Sequence, residues 1–242
     1  MQQGTTTTMN DLDPNIPTFD LEQVPLMEGA GLDVLAIEKE LGELPHLDGD
    51  ERYEAPETDR QYINATRAKD AAEALGRLPG PREAFHLVIA GKFALWDFTP
   101  AVLALAAPAT VSDLYICTLG FSKANISSIS ELLDAGKIGR LSLIASHYFK
   151  GTSPDTYTFG AEALDKRGQK FISIRSHAKL LAMQLSDGRT AVFEASANLR
   201  SCKNIEQVVA VGDPGLFEFH RQWMEILFAR AAAKADTQEG KP

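Results

Sequence analysis

Residues 176–206 read Ser176-His-Ala-Lys-Leu-Leu-Ala-Met-Gln-Leu-Ser-Asp-Gly-Arg-Thr-Ala-Val-Phe-Glu-Ala-Ser-Ala-Asn-Leu-Arg-Ser-Cys-Lys-Asn-Ile-Glu206. From Ala178 to Leu185 the run is apolar enough for a strand. Ser186-Asp187-Gly188-Arg189 carries turn chemistry, and Thr190 to Phe193 returns with β-branched and aromatic residues. The stretch therefore predicts a β-hairpin.

Working upstream, strands and helices alternate. Tyr62 to Leu78 reads as an Ala-rich helix ended by Pro79-Gly80-Pro81, which cannot continue it. Phe85 to Ala90 is an apolar strand closed by Gly91, and Phe98 to Leu105 a helix with Pro100 near its start. Val111 to Leu119 is a strand, Ser122 to Ala135 a helix stopped at Gly136, and Arg140 to Ala145 a third strand. Asp155 to Lys166 reads as helix and Phe171 to Ile174 as a fourth strand leading into the hairpin. Downstream come Gln207 to Val211 and a helix from Pro214 to about Lys234, whose aromatic stripe around Phe217, His220, Trp223 and Phe228 is a core-facing surface. Alternation followed by a hairpin implies an α/β structure with a mixed sheet flanked by helices.

Charge divides the chain. Residues 1–60 hold 15 acidic and 3 basic side chains, whereas residues 61–242 hold 18 acidic and 21 basic. The front end also carries Pro14, Pro17, Pro25, Pro45 and Pro56. It is too charged and too poor in core residues to fold unaided, apart from a short amphipathic helix in Val34 to Leu44. The expected organisation is an acidic, partly disordered N-terminal arm (1–59), an α/β domain (60–236) and a short tail (237–242). Such an arm suits either a protein partner or cover for a basic groove in competition with nucleic acid. No secretion signal and no apolar run of membrane-spanning length is present, so a soluble, cytoplasmic protein with no membrane association is expected. Two cysteines fit a reducing compartment: Cys117 reads as core and Cys202 as a loop residue. They and the five scattered histidines (His46, His86, His147, His177, His220) have no zinc spacing, so neither metal nor cofactor is expected.

The hairpin carries the chemistry. On an extended strand residues i and i+2 share a face, so His177 and Lys179, at the start of the hairpin's first strand, would both reach one phosphate, a nucleophile beside a cation. Ser196 and Asn198 repeat that spacing past the second strand as neutral donors for phosphoryl oxygens. Glu206 is placed to fix the tautomer of the imidazole.

This set resembles the phospholipase D superfamily, whose mark is His-x-Lys, then a Gly-Ser-x-Asn-like segment and a downstream Asn-x-Glu. Here His177-Ala-Lys179, Ala195-Ser196-Ala-Asn198 and Asn204-Ile-Glu206 match in order and approximate spacing, while Gln184 replaces the usual Asp and Ala195 the usual Gly. The resemblance extends loosely over about residues 80 to 233, with one copy of the motif. It implies a phospholipase D-like domain in which His177 forms a phosphohistidine and Lys179, Ser196 and Asn198 stabilise the charge on the oxygens. It implies Glu206 as the orienting group. A second histidine is needed to protonate the leaving oxygen, so one motif per chain implies a homodimer with two His177 residues facing across its axis. Soluble single-motif members look like nucleases, which makes a metal-independent phosphodiesterase acting on DNA or RNA the expected function. Arg200, Lys203 and, after the second strand, Lys123 are the candidate contacts to the substrate backbone, and His147, just past the third strand, reads as a loop histidine with a substrate contact at the same sheet edge as the alternative. Gln184 and Ala195 leave open a second reading, a non-cleaving nucleic-acid- or partner-binding protein.

Overall fold

The computed structural model describes residues 57–90, 93–200 and 204–239, with residues 234–239 as backbone alone. All of them fall within one compact unit, Pro45–Pro242. The expected arm of residues 1–59 lies outside the described residues except for 57–59, and the expected tail lies outside them beyond residue 239.

Eight strands form a single mixed sheet among the described residues: β1 (Asp59–Asn64), β2 (Glu83–Ala90), β3 (Val111–Thr118), β4 (Ile138–Ser146), β5 (Lys170–Ile174), β6 (Leu180–Leu185), β7 (Thr190–Ala195) and β8 (Ile205–Val211). Their spatial order is β1-β2-β8-β7-β6-β3-β4-β5. β1 is parallel to β2, and β3, β4 and β5 are parallel to one another. The pairs β2/β8, β8/β7, β7/β6 and β6/β3 are antiparallel. Alternate residues of β3 serve opposite faces: Leu114 and Ile116 join the larger core, Tyr115 and Cys117 the smaller. Where a strand is buried on both faces it reads as a short continuous apolar run rather than an alternating one, as Leu114–Cys117 of β3 and Leu143–Ala145 of β4 do.

The helices are α1 (Ala71–Leu75), α2 (Phe98–Ala106), α3 (Lys123–Asp134), α4 (His147–Thr152), α5 (Pro154–Asp165) and α6 (Pro214–Glu239). The larger core takes Leu75, Phe98, Val102, Ile126, Ile129 and Leu164 from α1, α2, α3 and α5 onto one sheet face. On the other face α6 supplies Phe217, Met224 and Phe228 against Ile144, Leu180, Ala182 and Val192. The aromatic stripe of α6 is thus the core surface expected of it. No helix among the described residues is long and apolar enough to cross a membrane.

Two local expectations are corrected. The helix read over Tyr62 to Leu78 is instead an edge strand followed by a short helix. The Asp70 carboxylate accepts from the Glu73 N–H and starts α1 there, and Gly76 at φ 66° ends it. Tyr62, paired with His86 in the parallel β1/β2 register, stacks on that ring with centroids 5.0 Å apart. His147, read as a loop residue, opens α4, with the Ser146 hydroxyl accepting from the Tyr148 N–H. In the hairpin, Gly188 at φ 90° supplies the backbone region that its turn requires.

Candidate active site

Strand direction explains why distant motif pieces meet. β3, β4, β5 and β7 end, and β6 and β8 begin, at the same edge of the sheet. Everything just past the first group or just before the second is gathered there. His177 and Lys179 precede β6, Ser196 and Asn198 follow β7, and Glu206 is the second residue of β8. β6, β7 and β8 are also neighbours in the sheet, about 4.8 Å apart.

His177 and Lys179 are not strand residues, which corrects the expectation that they lie on β6. The chain leaves β5 at one side of the sheet and must pass the ends of β4 and β3 to reach β6. That is three strand spacings, about 14 Å. Residues 175–179 cover it as a strap without regular structure, and Lys179 joins the ladder only through its carbonyl, which accepts from the Ala195 N–H at 3.1 Å. The strap leaves His177 exposed and Lys179 half-buried.

The pair is in direct contact. Lys179 Nζ lies 2.9 Å from His177 Nδ1 and 3.3 Å from Nε2, and donates to the His177 carbonyl at 2.9 Å. An ammonium has only protons to give, so the ring nitrogen it meets acts as acceptor. Burial holds the Lys179 ammonium below the ordinary lysine value, against the opposing pull of Glu206 and Cys117. A lysine held this way forfeits water and gains from an anionic oxygen.

Glu206, expected to orient the His177 ring, has its carboxylate on the Ser196 hydroxyl. Ser196 also accepts from the Gln207 N–H at 3.0 Å and donates its own N–H to the Gln207 carbonyl, so it ties the end of β7 to the start of β8. Asn198 is half-buried. Its carbonyl accepts from the Leu95 N–H at 3.2 Å, and its Oδ1 is buried without a hydrogen-bond partner. Gln184, where the sequence resemblance would place an Asp, lies toward the hairpin turn, away from this edge, and its amide donates to the Arg189 carbonyl.

The outlying candidates separate. Arg200 is exposed just past Asn198, and Lys203 lies outside the described residues. Lys123 opens α3 with its ammonium 5.5 Å from the centroid of the Phe159 ring. His147 Nδ1 is 3.4 Å from Ser173 Oγ, at the ends of β4 and β5. No group of three His, Cys, Asp or Glu among the described residues is arranged to hold a metal ion.

Sequence reasoning missed two features beside the site. Ser176 Oγ lies 3.3 Å from Cys117 Sγ, a contact between residues with no sequence pattern in common. His220, taken as part of the core stripe, bonds Glu194 through Nε2 at 3.0 Å and receives the Trp223 indole N–H at Nδ1. Because an indole N–H only donates, Nδ1 is the acceptor and Nε2 carries the proton given to Glu194. That bond keeps the Glu194 carboxyl below its usual value, against the effect of burial.

No protein-family model matches the sequence, and no curated protein matches it. Among solved structures the chain is similar to the crystal structure of polyphosphate kinase from Porphyromonas gingivalis, at 12% identity and a TM-score of 0.45. That alignment covers 64% of this chain and 28% of the kinase chain, so this chain spans little more than a quarter of its length.

Proposed function

We propose that this chain is a phosphodiesterase of the phospholipase D type, a nuclease that cleaves DNA or RNA through a phosphohistidine. The observation that carries the reading is the gathering of His177, Lys179, Ser196, Asn198 and Glu206 at one sheet edge, around the ends of three neighbouring strands. An incoming phosphate would take the Lys179 ammonium onto its oxygens, which frees the imidazole. His177 then attacks phosphorus in line while the P–O bond to the leaving strand breaks. The departing oxygen takes a proton from a second imidazole, which later deprotonates the water that breaks the P–N bond. The exposed position of His177 suits a homodimer in which a second copy supplies that imidazole. In this reading the ammonium and neutral donors carry the electrostatic load, without metal.

The test is cleavage of labelled DNA and RNA in EDTA by wild type and His177→Ala, with mass measured in solution. Chelator-resistant cleavage that vanishes in the variant, from a dimer, supports the proposal. An obligate monomer sinks the dimer mechanism, and wild type that never cleaves sinks the enzyme. A second reading, a phosphate-site binding module for nucleic acid or a protein partner, draws on the Lys179 contact that occupies His177. It predicts equal nucleic-acid binding by wild type and His177→Ala, with cleavage by neither.

A further inference from the structure

We infer that Ser176, anchored on Cys117, is a positioning residue that fixes where His177 stands over the sheet edge. The inference rests on the phosphoryl-transfer reading of this site. A strap that crosses two strand ends without joining either is free to shift unless side chains tie it down. His177 sits between two ties. Downstream, Lys179 is held to β7 by the bond from the Ala195 N–H. Upstream, the Ser176 hydroxyl does two jobs, accepting from the Ala178 N–H at 3.2 Å and meeting Cys117 Sγ at 3.3 Å. The first bond folds the backbone around His177, and the second fastens that fold to β3.

Cys117 is a rigid anchor. It is fully buried, lies opposite Leu180 in the β3/β6 register, and packs in the smaller core beneath α6. Burial pushes its thiol up, so sulfur keeps its proton and has one to offer the Ser176 oxygen. Removing the Ser176 hydroxyl breaks both bonds and leaves the packed core untouched. Displacing a reacting group by about 1 Å is enough to cost on the order of 100-fold in rate. Substrate affinity, set by Lys179 with its separate tie to β7 and by the neutral donors past β7, should change far less.

The experiment compares full-length wild type, Ser176→Ala, Ser176→Thr and Cys117→Ala in EDTA-resistant cleavage, with kcat and KM determined separately, alongside thermal melts. The ring signals of His177 are followed by NMR in the free proteins. Ser176→Ala should lower kcat roughly 10- to 100-fold, leave KM within about threefold, and shift the His177 ring signals without a matching loss of melting temperature. Ser176→Thr, which keeps the oxygen, should recover most of the rate. Cys117→Ala should move rate and ring signals in the same direction as Ser176→Ala. Unchanged kcat in Ser176→Ala, or Thr no better than Ala, overturns the inference. Inactive wild type refutes the phosphodiesterase reading instead, and the NMR arm then decides alone: identical His177 signals in wild type and Ser176→Ala overturn the positioning role.

Discussion

Replacing Lys179 with Met keeps the length and apolar stem of the side chain and removes the charge, so it isolates what the ammonium contributes. Two unit charges 4 Å apart attract by about 1 kcal/mol in bulk water and about 4 kcal/mol at an effective dielectric near 20. Lys179 is half-buried and its ammonium is disfavoured by burial, which places it toward the second limit. A loss of about 2–4 kcal/mol of transition-state stabilisation corresponds to roughly 30- to 1,000-fold in kcat/KM. The folded state itself loses the bond to the His177 carbonyl, worth on the order of 1 kcal/mol. The assay is cleavage of an end-labelled oligonucleotide in EDTA at low salt, with binding measured separately in a His177→Ala background. Lys179→Arg should recover part of the loss, because its guanidinium keeps the charge in a different shape. A Lys179→Met variant within about threefold of wild-type kcat/KM would show that the ammonium does not meet the reacting phosphate.

The negative charge of Glu206 raises the proton affinity of Lys179, so Glu206→Gln should let Lys179 deprotonate at lower pH. The alkaline limb of the rate profile then moves down in pH, and an unmoved limb disconnects Lys179 from that limb. A Cβ at Gly212 would stand 2.4 Å from the Pro79 carbonyl oxygen and 2.5 Å from that of Gly80, both backbone. Gly212→Ala is therefore expected to cost about 1–3 kcal/mol and lower the melting temperature by several degrees, as a thermal melt would show. Glu83 receives both Arg77 Nη groups, at 2.5 and 2.7 Å, and the Gly80 N–H, which lower its carboxyl to about 2. A depressed carboxyl stabilises the fold above its ordinary value of 4.5 and loses that contribution as pH falls toward 2. Arg77 is largely exposed, so solvent screening keeps the contribution small. Denaturant melts between pH 5 and 2 should show a shallower acid slope in Glu83→Gln, and an equal slope would discount the clamp.

Most strands and the long last helix were legible because their signals are local. β2, β3, β4 and the hairpin announce themselves by apolar runs bounded by turn residues, and α3 by the Ser122 cap and the stop at Gly136. β1 was not legible. Its residues are mostly exposed, and it is a strand only because β2 offers a parallel edge to pair with. A helix-like composition in Tyr62 to Leu78 gave no hint of that partner.

The chemistry divides in the same way. Sequence alone determined which residue types stand in the motif, their order, and the alternating elements that carry them, since these depend on neighbours a few residues apart. Tertiary structure alone decided that β5 lies three places from β6, which turns the His177 segment into a strap rather than a strand. It also set Lys179 on the imidazole, Glu206 on Ser196, and Cys117 beneath Ser176. Those contacts follow from strand order and from which residues meet at a sheet edge, and neither is encoded in the spacing of residues along the chain.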